Sequence, residues 1–238
     1  MENKNYGGLE SEFTAYETAE IVVLPVPYDG TSTWLKGADK GPDAILEASA
    51  NMELYDIETD SEVYTHGIAT LEPVTEASSP EAMSQEVEKQ VDKILTDKKF
   101  PVILGGEHSV SIGAFRAFAK HYDKFSVLQL DAHSDMRSEY EGSTHNHACV
   151  MARAKEVATV AQVGIRSSAI EEKKTSCRIV FSTLTTCMMP KKATTGCTWY
   201  RKNYTTTYTS RSTWTFSTQL LSRQQEPRNL TDFITEKY

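Results

Sequence analysis

VILGGEHS at residues 102–109 and VLQLDAHSD at residues 127–135 decide the fold class, because each is an apolar run that leads directly into polar residues. A short apolar run predicts a strand buried on both faces. Apolar spacing predicts a helix over Ser109–His121, between the two runs, with Ser109 and Ser111 as candidate capping residues. Strand, helix and strand in this order predict a parallel pair whose carboxyl ends share one edge of the sheet.

The same alternation extends in both directions along the chain. It predicts an α/β fold with a mainly parallel sheet, whose ligand site lies beyond the carboxyl ends of the strands. The predicted strands are Glu20–Pro27, Phe100–Leu104, Phe125–Leu130 and Val160–Ile165, and the other predicted helices are Ala44–Leu54, Pro80–Asp97 and Ala148–Val157.

Composition describes a globular chain. Apolar residues make up 39% and charged residues 24% of the 238 residues, which excludes collagen-like, low-complexity and wholly disordered chains and is compatible with one or two domains. A net charge of −8 argues against a nucleic-acid surface. The first twenty residues lack a signal-peptide pattern and no stretch is apolar enough to span a membrane, so we expect a cytoplasmic protein without membrane or nucleic-acid partners.

The chemical character of the chain changes after Lys174. Residues 1–174 contain 30 acidic and 16 basic side chains, whereas residues 175–238 contain 3 acidic and 9 basic ones, together with 16 Thr and three of the four Cys. Thr favours extended structure, yet the second segment has no apolar alternation that would bury one face of a sheet. We therefore divide the chain into an α/β domain, 1–174, and an anomalous Thr-rich segment, 175–238.

Candidate metal ligands follow two of the predicted strands. In an extended segment, residues two apart project to the same side, so Asp131, His133 and Asp135 are expected to converge, with Glu107 and His108 at the preceding strand end. Carboxylates with imidazole suit Mn²⁺, Fe²⁺ or Zn²⁺, and the absence of a neighbouring Cys argues against a structural zinc site. The alternative is that the histidines are hydrogen-bonded core residues and the aspartates are caps.

GGEHSVSIG, LQLDAHSDMR and EYEGSTHNHACVMARA together resemble the ureohydrolase family, and agmatinases most closely within it. VPYDGTSTWLKGADKGPDAILEAS resembles the same family's first strand and the loop that follows it, so that the resemblance covers about residues 20–174. It implies a three-layer α/β/α fold with two Mn²⁺ ions bridged by a hydroxide at the strand ends. It also implies a homo-oligomer, a trimer or a hexamer.

The resemblance also implies roles for individual residues. His108 and Asp135 would bind one ion and His133 the other, with Asp131 bridging both. His147 would be the catalytic proton-shuttling histidine, its alternative being a loop histidine that makes a backbone hydrogen bond. Glu107 would orient a ligand or close the turn, His145 is expected to be exposed, and His66 and His121 match no motif.

The implied reaction is hydrolysis of agmatine to putrescine and urea, a step of polyamine biosynthesis. A guanidinium is a resonance-stabilised cation that water attacks slowly, and two divalent ions lower the pKa of a shared water to about 7. Asp135 would hold the resulting hydroxide, also a catalytic role, and His147 would protonate the departing amine. Guanidinobutyrate and arginine are alternative substrates, and a non-catalytic metal-binding protein of the same fold is an alternative of another class.

The resemblance stops before the family's last two metal-binding aspartates, which lie in a stretch like IDLDVFDP. Arg211–Gln219, RSTWTFSTQ, can encode IDLDVFDP when read one nucleotide out of register. Trp214 has the single codon TGG, and every codon for Thr215 begins with AC. The shifted triplet that joins the two is therefore GAC, an Asp codon. QLLSRQQEPRNLTDF likewise permits AIVPATGTPEPDGL, which is similar to the family's substrate-binding segment.

We therefore hypothesise that a one-nucleotide shift between about Ile165 and Val180 replaced the C-terminal part with an out-of-frame translation that met an early stop. The Thr excess agrees with this, because GAC, AAC and TAC codons of the original frame give ACN, a Thr codon, when they are read one nucleotide later. The fifth and sixth ligands would fall at Thr213 and at Trp214 to Thr215. The 238-residue chain is accordingly expected to lack its C-terminal strands, to bind one ion weakly, to fold poorly and to be inactive, whereas the in-frame product would be an agmatinase-like enzyme.

Overall fold

The structure, a computed structural model, describes residues 5–174 and the backbone of a strand at 214–218. Helices and strands alternate along most of this length. The strands are β1 (Ile21–Val26), β2 (Ile68–Thr70), β3 (Phe100–Gly105), β4 (Ser126–Leu130), β5 (Thr159–Val163) and β6 (Trp214–Thr218). The α-helices are α1 (Ser11–Thr14), α2 (Gly41–Ser49), α3 (Pro80–Thr96), α4 (Ser111–His121) and α5 (Val150–Val157). The α/β class predicted from the sequence is confirmed.

All pairs among these six described strands are parallel, and they form two three-stranded groups in the orders β2-β1-β3 and β5-β4-β6. In the first group Val26 at the end of β1 pairs with Gly105 at the end of β3. In the second, Leu130 at the end of β4 pairs with Val163 of β5. Each group therefore presents its carboxyl ends at one edge, where the predicted polar clusters begin.

The longest helix of the described chain, α3, covers the first group of strands. Ser79 begins it by accepting a hydrogen bond from the backbone N–H of Ala82, and Pro80 occupies the first turn, where no backbone donor is needed. Its apolar residues recur every four positions and are all buried, at Met83, Val87, Val91 and Leu95. They form one core cluster with β1 and α4. The predicted helix over Pro80–Asp97 is thus confirmed to within one residue.

Two sequence expectations were wrong at helix ends. The helix predicted over Ala44–Leu54 ends at Ser49, and Met52 and Leu54 are exposed, so their apolar character reflected no buried face. Neither Ser109 nor Ser111 caps the helix that ends at His121. The capping oxygen belongs to Glu107, whose side chain accepts from the backbone N–H of Ser109 at the start of a 3₁₀ turn, His108–Val110, that precedes α4.

The second segment contributes one described strand, so the loss predicted for the C-terminal strands does not extend to residues 214–218. β6 lies beside β4 in register, Trp214 with Ser126 and Thr218 with Leu130. Trp214 therefore lies at the amino end of β4, at the opposite end of the strand from Asp131. The other features predicted for residues 175–238 lie outside the described residues.

The described residues cover strand β3 incompletely. Within the described residues it pairs with β1 alone, Phe100 at its start is exposed, and its other five residues are half-buried. Apolar strand residues with one open edge are a site where another chain can pair. In the described part of the chain, β3 presents such an edge. Among the described residues, no helix combines the length and the apolar character that a membrane span requires.

The close packing of α4 on α3 gives a test of the fold. A methyl group added at Gly113 would lie 2.2 Å from the carbonyl oxygen of Ser84 and 2.7 Å from the nitrogen of Glu88. We expect Gly113→Ala to lower the free energy of unfolding by about 1–3 kcal/mol through overpacking, against a helix-propensity gain of about 1 kcal/mol. Urea denaturation followed by circular dichroism measures the difference.

Gly41→Ala in α2 is the matched control, because a methyl group there would meet the carbonyl oxygen of Gly105 at an ordinary contact distance of 3.5 Å. Equal stability of the two variants would show that α3 and α4 pack less closely than described.

Candidate metal centre

The carboxyl ends of β3 and β4 bring three potential ligands together. His108 follows β3 in the 3₁₀ turn and is 3% exposed. Its Nδ1 lies 2.6 Å from Oδ2 of Asp135 and 3.8 Å from Oδ2 of Asp131. One ligand atom from each of these three residues lies within 4.8 Å of the others. Both carboxylates are more than nine-tenths buried. Such a group of atoms can surround one cation.

His133 lies on the other side of Asp131. Its Nδ1 is 3.4 Å from Oδ1 of Asp131, and its side chain is 56% exposed. Asp131 therefore directs one oxygen toward His108 and the other toward His133. The predicted roles, in which Asp131 would bind both ions, require such an arrangement. The roles themselves stay predictions.

Strand alternation was expected to bring together the three ligand candidates of the DAHSD stretch, and this expectation was wrong. β4 ends at Leu130, before the first of them. Asp131 turns the chain by accepting a hydrogen bond from the backbone N–H of His133, at 2.9 Å. Asp135 then adopts a left-handed conformation with φ of 49°, which non-glycine residues rarely adopt. A turn, rather than an extended segment, carries the Asp135 carboxylate back to His108.

The charges of the cluster shift one another's pKa values. Burial by itself lowers the pKa of His108, but the hydrogen bond and charge of Asp135, followed by the charge of Asp131, raise it above its ordinary value. The hydrogen bond to Asp131 likewise raises the pKa of His133. Burial would raise the pKa of Asp131, whereas its hydrogen bonds with His133 bring it below the usual value. The site thus strongly favours positive charge beside its carboxylates.

Two buried glutamines lie behind the carboxylates, and neither was predicted from the sequence as part of the site. Gln129 in β4 and Gln162 in β5 are direct partners in the parallel register. Nε2 of Gln129 lies 3.2 Å from Oδ2 of Asp131 and 3.5 Å from Oδ2 of Asp135. Nε2 of Gln162 donates to Oε1 of Gln129 at 2.5 Å and to the carbonyl oxygen of Ser134 at 2.7 Å. The signal available in the sequence was a Gln inside each of two apolar strands.

The interaction with Gln162 fixes which way the Gln129 amide points. Because Oε1 of Gln129 accepts the bond from Gln162, its NH₂ group faces the two aspartates. Accepting a hydrogen bond also polarises an amide and strengthens it as a donor. The pair therefore partly compensates two like charges that are buried next to each other.

A cavity of about 650 Å³ opens at the same edge and includes His133, Asp135 and His147 in its lining. The backbone N–H of His147 donates to Oγ1 of Thr31 at 2.9 Å, and its Nδ1 lies 3.2 Å from the same oxygen. The loop between Tyr28 and Lys40 contributes six residues to the wall of the cavity: Ser32, Thr33, Trp34, Leu35, Gly37 and Ala38.

The other histidines lie outside the cluster. The expectation that His145 is exposed was wrong: the residue is 8% exposed, because its loop packs against α3, where Nδ1 lies 3.5 Å from a carboxylate oxygen of Glu81. Burial lowers the pKa of His145. His66 and His121 pair with Glu20 and Asp92 at the surface. Cys149 is a free, buried thiol whose pKa burial raises to about 11.

The donor set fits a divalent metal ion. Two carboxylates and an imidazole present hard and borderline ligand atoms, and buried carboxylates this close together need a cation or hydrogen-bond donors. His108, Asp131 and Asp135 would hold one ion, and the second oxygen of Asp131 with His133 would contribute to another. Glu107 accepts hydrogen bonds from Thr31 and Ser109 rather than facing the cluster as a ligand, which agrees with the turn-closing role expected for it.

A parallel α/β sheet that gathers carboxylates and imidazoles at its carboxyl edge, beside an open cavity, defines an α/β protein whose ligand site lies at the strand ends and whose donor set fits a metal ion. Comparison with known families specifies which one. Residues 19–198 match the arginase family, and the chain belongs to it. The match includes the first residues of the Thr-rich segment, and the boundary at Lys174 stays a prediction.

Individual relatives agree with this assignment. The chain is 43% identical over 157 residues to N(1)-aminopropylagmatine ureohydrolase of Synechocystis, and 34% identical over 164 residues to agmatinase of Halalkalibacterium halodurans. These matches cover 63% and 66% of this chain but only 51% and 56% of the relatives. The chain thus spans about half the length of the curated relatives it matches.

Among solved structures, agmatine ureohydrolase of Thermoplasma volcanium is similar, with a TM-score of 0.66 and 34% identity. The superposition covers 73% of this chain and 58% of that one. A putative agmatinase from Clostridium difficile gives a TM-score of 0.62 at 31% identity. The resemblance inferred from the GGEH and DAHSD motifs is therefore confirmed at the level of the family.

The glutamine pair gives a test of the metal centre. Replacing Gln129 by Leu keeps the volume but removes the NH₂ group that faces Asp131 and Asp135. Groups that orient metal ligands typically contribute about 10- to 100-fold in affinity, so we expect Gln129→Leu to weaken Mn²⁺ binding by about that factor. Competition with a fluorescent chelator measures the affinity, and circular dichroism checks the fold.

Gln90→Leu is the matched control, because this α3 amide donates to Glu86 and not to the cluster. It should bind Mn²⁺ as the unmodified chain does. Unchanged affinity in Gln129→Leu would contradict an orienting role for the glutamines.

Proposed function

We propose that the in-frame form of this protein hydrolyses the guanidino group of agmatine, giving putrescine and urea, with Mn²⁺ as its metal. The single observation that carries the proposal is the cluster of His108, Asp131 and Asp135 at the edge of a cavity that His147 also lines. Membership of the arginase family supports a guanidino substrate, and relatives named agmatinase support agmatine.

The reaction needs a nucleophile stronger than water and a proton for the leaving amine. Metal ions held by His108, Asp131 and Asp135 would supply the first, since such ions lower the pKa of a coordinated water to about 7. His147 is close enough to the cavity to pass a proton to the departing nitrogen, which leaves as the amine.

The charges of the cavity favour a substrate that is cationic at both ends. Apart from the candidate metal ligand Asp135, its acidic lining residues are Glu107 and Glu172, and in the described part of the chain Arg137 is its single Lys or Arg. That guanidinium pairs with Glu171 at 2.9 Å and lies over the ring of Tyr140. Guanidinobutyrate and arginine carry a carboxylate that would meet net negative charge, whereas agmatine carries none.

A second candidate substrate is N(1)-aminopropylagmatine. The relative with 43% identity is named for it, and this molecule is also cationic without a carboxylate. The cavity wall includes the exposed side chains of Trp34 and Leu35, against which an additional alkyl segment could pack.

We further propose that residues 175–238 are an out-of-frame translation and that the 238-residue chain is inactive. Within the described residues β3 has one strand partner and five of its six residues are half-buried, as expected if the strand that would pair with it were lost from the reading frame. The position of β6 agrees with this, since Trp214 and Thr215 pair with Ser126 and Val127 at the amino end of β4. Two ligands missing from the metal-binding edge would leave the second ion without most of its donors.

Urea release measures the proposed activity. The 238-residue chain and a chain whose frame is restored after Lys174 are each supplied with Mn²⁺ and either agmatine or N(1)-aminopropylagmatine. We expect only the restored chain to release urea, and the ratio of kcat/KM for the two substrates to assign specificity. Arginine is the control substrate, and its carboxylate should make it the poorest.

Activity of the unrestored chain would contradict the out-of-frame proposal as it concerns function. Failure of the restored chain on both agmatines, with intact Mn²⁺ binding, would contradict the substrate assignment and leave guanidinobutyrate to be tested. Binding without turnover of any guanidino compound would favour the non-catalytic alternative.

Sequencing of the genomic locus and its transcript tests the origin of the segment separately. We expect one nucleotide gained or lost between the codons of Ile165 and Val180, followed by third bases that restore IDLDVFDP in the alternative frame. Third bases at Arg211–Gln219 that do not permit this reading would refute the shift, whatever the chain's activity.

A further inference from the structure

The hydroxyl of Thr31 joins His147 to a second buried acidic group. Oγ1 of Thr31 lies 2.9 Å from Oε1 of Glu107, 2.9 Å from the backbone nitrogen of His147 and 3.2 Å from Nδ1 of the same histidine. Thr31 and Glu107 are 7% and 6% exposed, so water has little access to the junction. One oxygen atom thus has three neighbours, and its capacity for hydrogen bonding determines what each of them does.

The donors and acceptors at this oxygen can be counted. A hydroxyl has one proton to donate and two lone pairs that accept. Glu107, as a carboxylate, only accepts, so the Thr31 proton points to Oε1. The backbone N–H of His147 only donates, so it takes one lone pair. A single lone pair is left for Nδ1 of His147, and the ring must therefore bring a proton on that nitrogen.

We propose that Thr31 and Glu107 are positioning residues that hold neutral His147 as the Nδ1–H tautomer. This inference rests on the proposed function for its catalytic meaning, but the tautomer itself is a property of the chain without substrate. The free lone pair of the neutral ring then belongs to Nε2, the nitrogen remaining for a molecule in the cavity. The contacts of His147 thus determine which ring nitrogen reacts, and the ring does not need to rotate.

Neighbouring contacts hold the arrangement in place. The backbone N–H of Ser109 donates to Oε2 of Glu107 at 2.9 Å, and its hydroxyl donates to Oε1 at 2.7 Å. The ring of Tyr140 meets that of His147 edge-on, with 6.1 Å between centroids. Glu107 is therefore fixed from the α4 side of the site, and the imidazole plane is fixed from the loop.

One ring nitrogen, Nε2, both gains and loses the proton during the transfer. Protonation at Nε2 gives an imidazolium that keeps its Nδ1–H bond to Thr31. Transfer to the leaving nitrogen breaks the Nε2–H bond, forms an N–H bond on the departing amine and returns the neutral Nδ1–H tautomer. The Thr31 proton stays on Thr31 throughout, so Glu107 orients and does not exchange protons.

Nuclear magnetic resonance of the full 238-residue chain with ¹³C,¹⁵N-labelled histidine tests the proposal. Spectra are recorded at a pH at which the ¹⁵N shifts themselves show that the ring is neutral. The ¹³Cδ2 and ¹⁵N shifts distinguish the two tautomers, and His147→Gln identifies the signal by its loss. We expect the Nδ1–H tautomer for His147. A predominantly Nε2–H ring in the unmodified chain would overturn the proposal.

Three variants separate tautomer control from general packing. Thr31→Ser retains the hydroxyl and should retain the Nδ1–H tautomer, whereas Thr31→Val retains the shape without the acceptor and should lose it. In Glu107→Gln the amide oxygen stays opposite the backbone N–H of Ser109, so that the NH₂ group donates to Thr31. The Thr31 proton then turns to Nδ1, and we expect the ring to change to the Nε2–H tautomer.

Loss of the Nδ1–H tautomer in Thr31→Ser, or its retention in Thr31→Val or Glu107→Gln, would overturn the proposal. If Thr31→Val does not fold, Glu107→Gln and the unmodified chain still decide it. None of these readouts depends on turnover, so a negative urea assay would leave them unaffected and would count against the proposed function alone.

Discussion

The burial of two neighbouring carboxylates, Asp131 and Asp135, is the constraint on which the rest of the site depends. Like charges this close are costly in a poorly hydrated environment unless positive charge or hydrogen-bond donors face them. The structure meets the requirement with His108 on one side and the amide of Gln129 on the other. Each of these is supplied by a different part of the sheet edge, so that site and fold stabilise each other.

The regular elements could be predicted from the sequence because their signals are local. α3 has apolar residues at a period of four, with Ser79 and Pro80 marking its start, and β3 and β4 are apolar runs that end in polar clusters. The family resemblance could be predicted too, since the GGEH and DAHSD motifs each occupy a few consecutive residues. A local pattern is sufficient when the interaction that matters is made within the pattern.

The remainder could not be predicted, because it depends on contacts between residues distant in the chain. His145 is buried by packing against Glu81, 64 positions earlier, and its own neighbourhood is polar. Glu107 rather than Ser109 caps the turn. The side chain of Glu107 also accepts a hydrogen bond from the hydroxyl of Thr31, which lies in the first loop. The convergence of Asp135 on His108 requires a left-handed residue that a strand-alternation rule does not contain.

Gln129 and Gln162 occupy partner positions on adjacent parallel strands, and this has a consequence for assembly of the sheet. Side chains alternate between the faces of a strand, so a slip of β5 by one residue would turn the Gln162 amide to the opposite face. Gln129 would then lose the contact that orients its NH₂ group. A cation held by Asp131 and Asp135 would thus be bound more tightly by the correctly aligned sheet than by a misaligned one. Binding of the cation would therefore favour the correct strand register during folding.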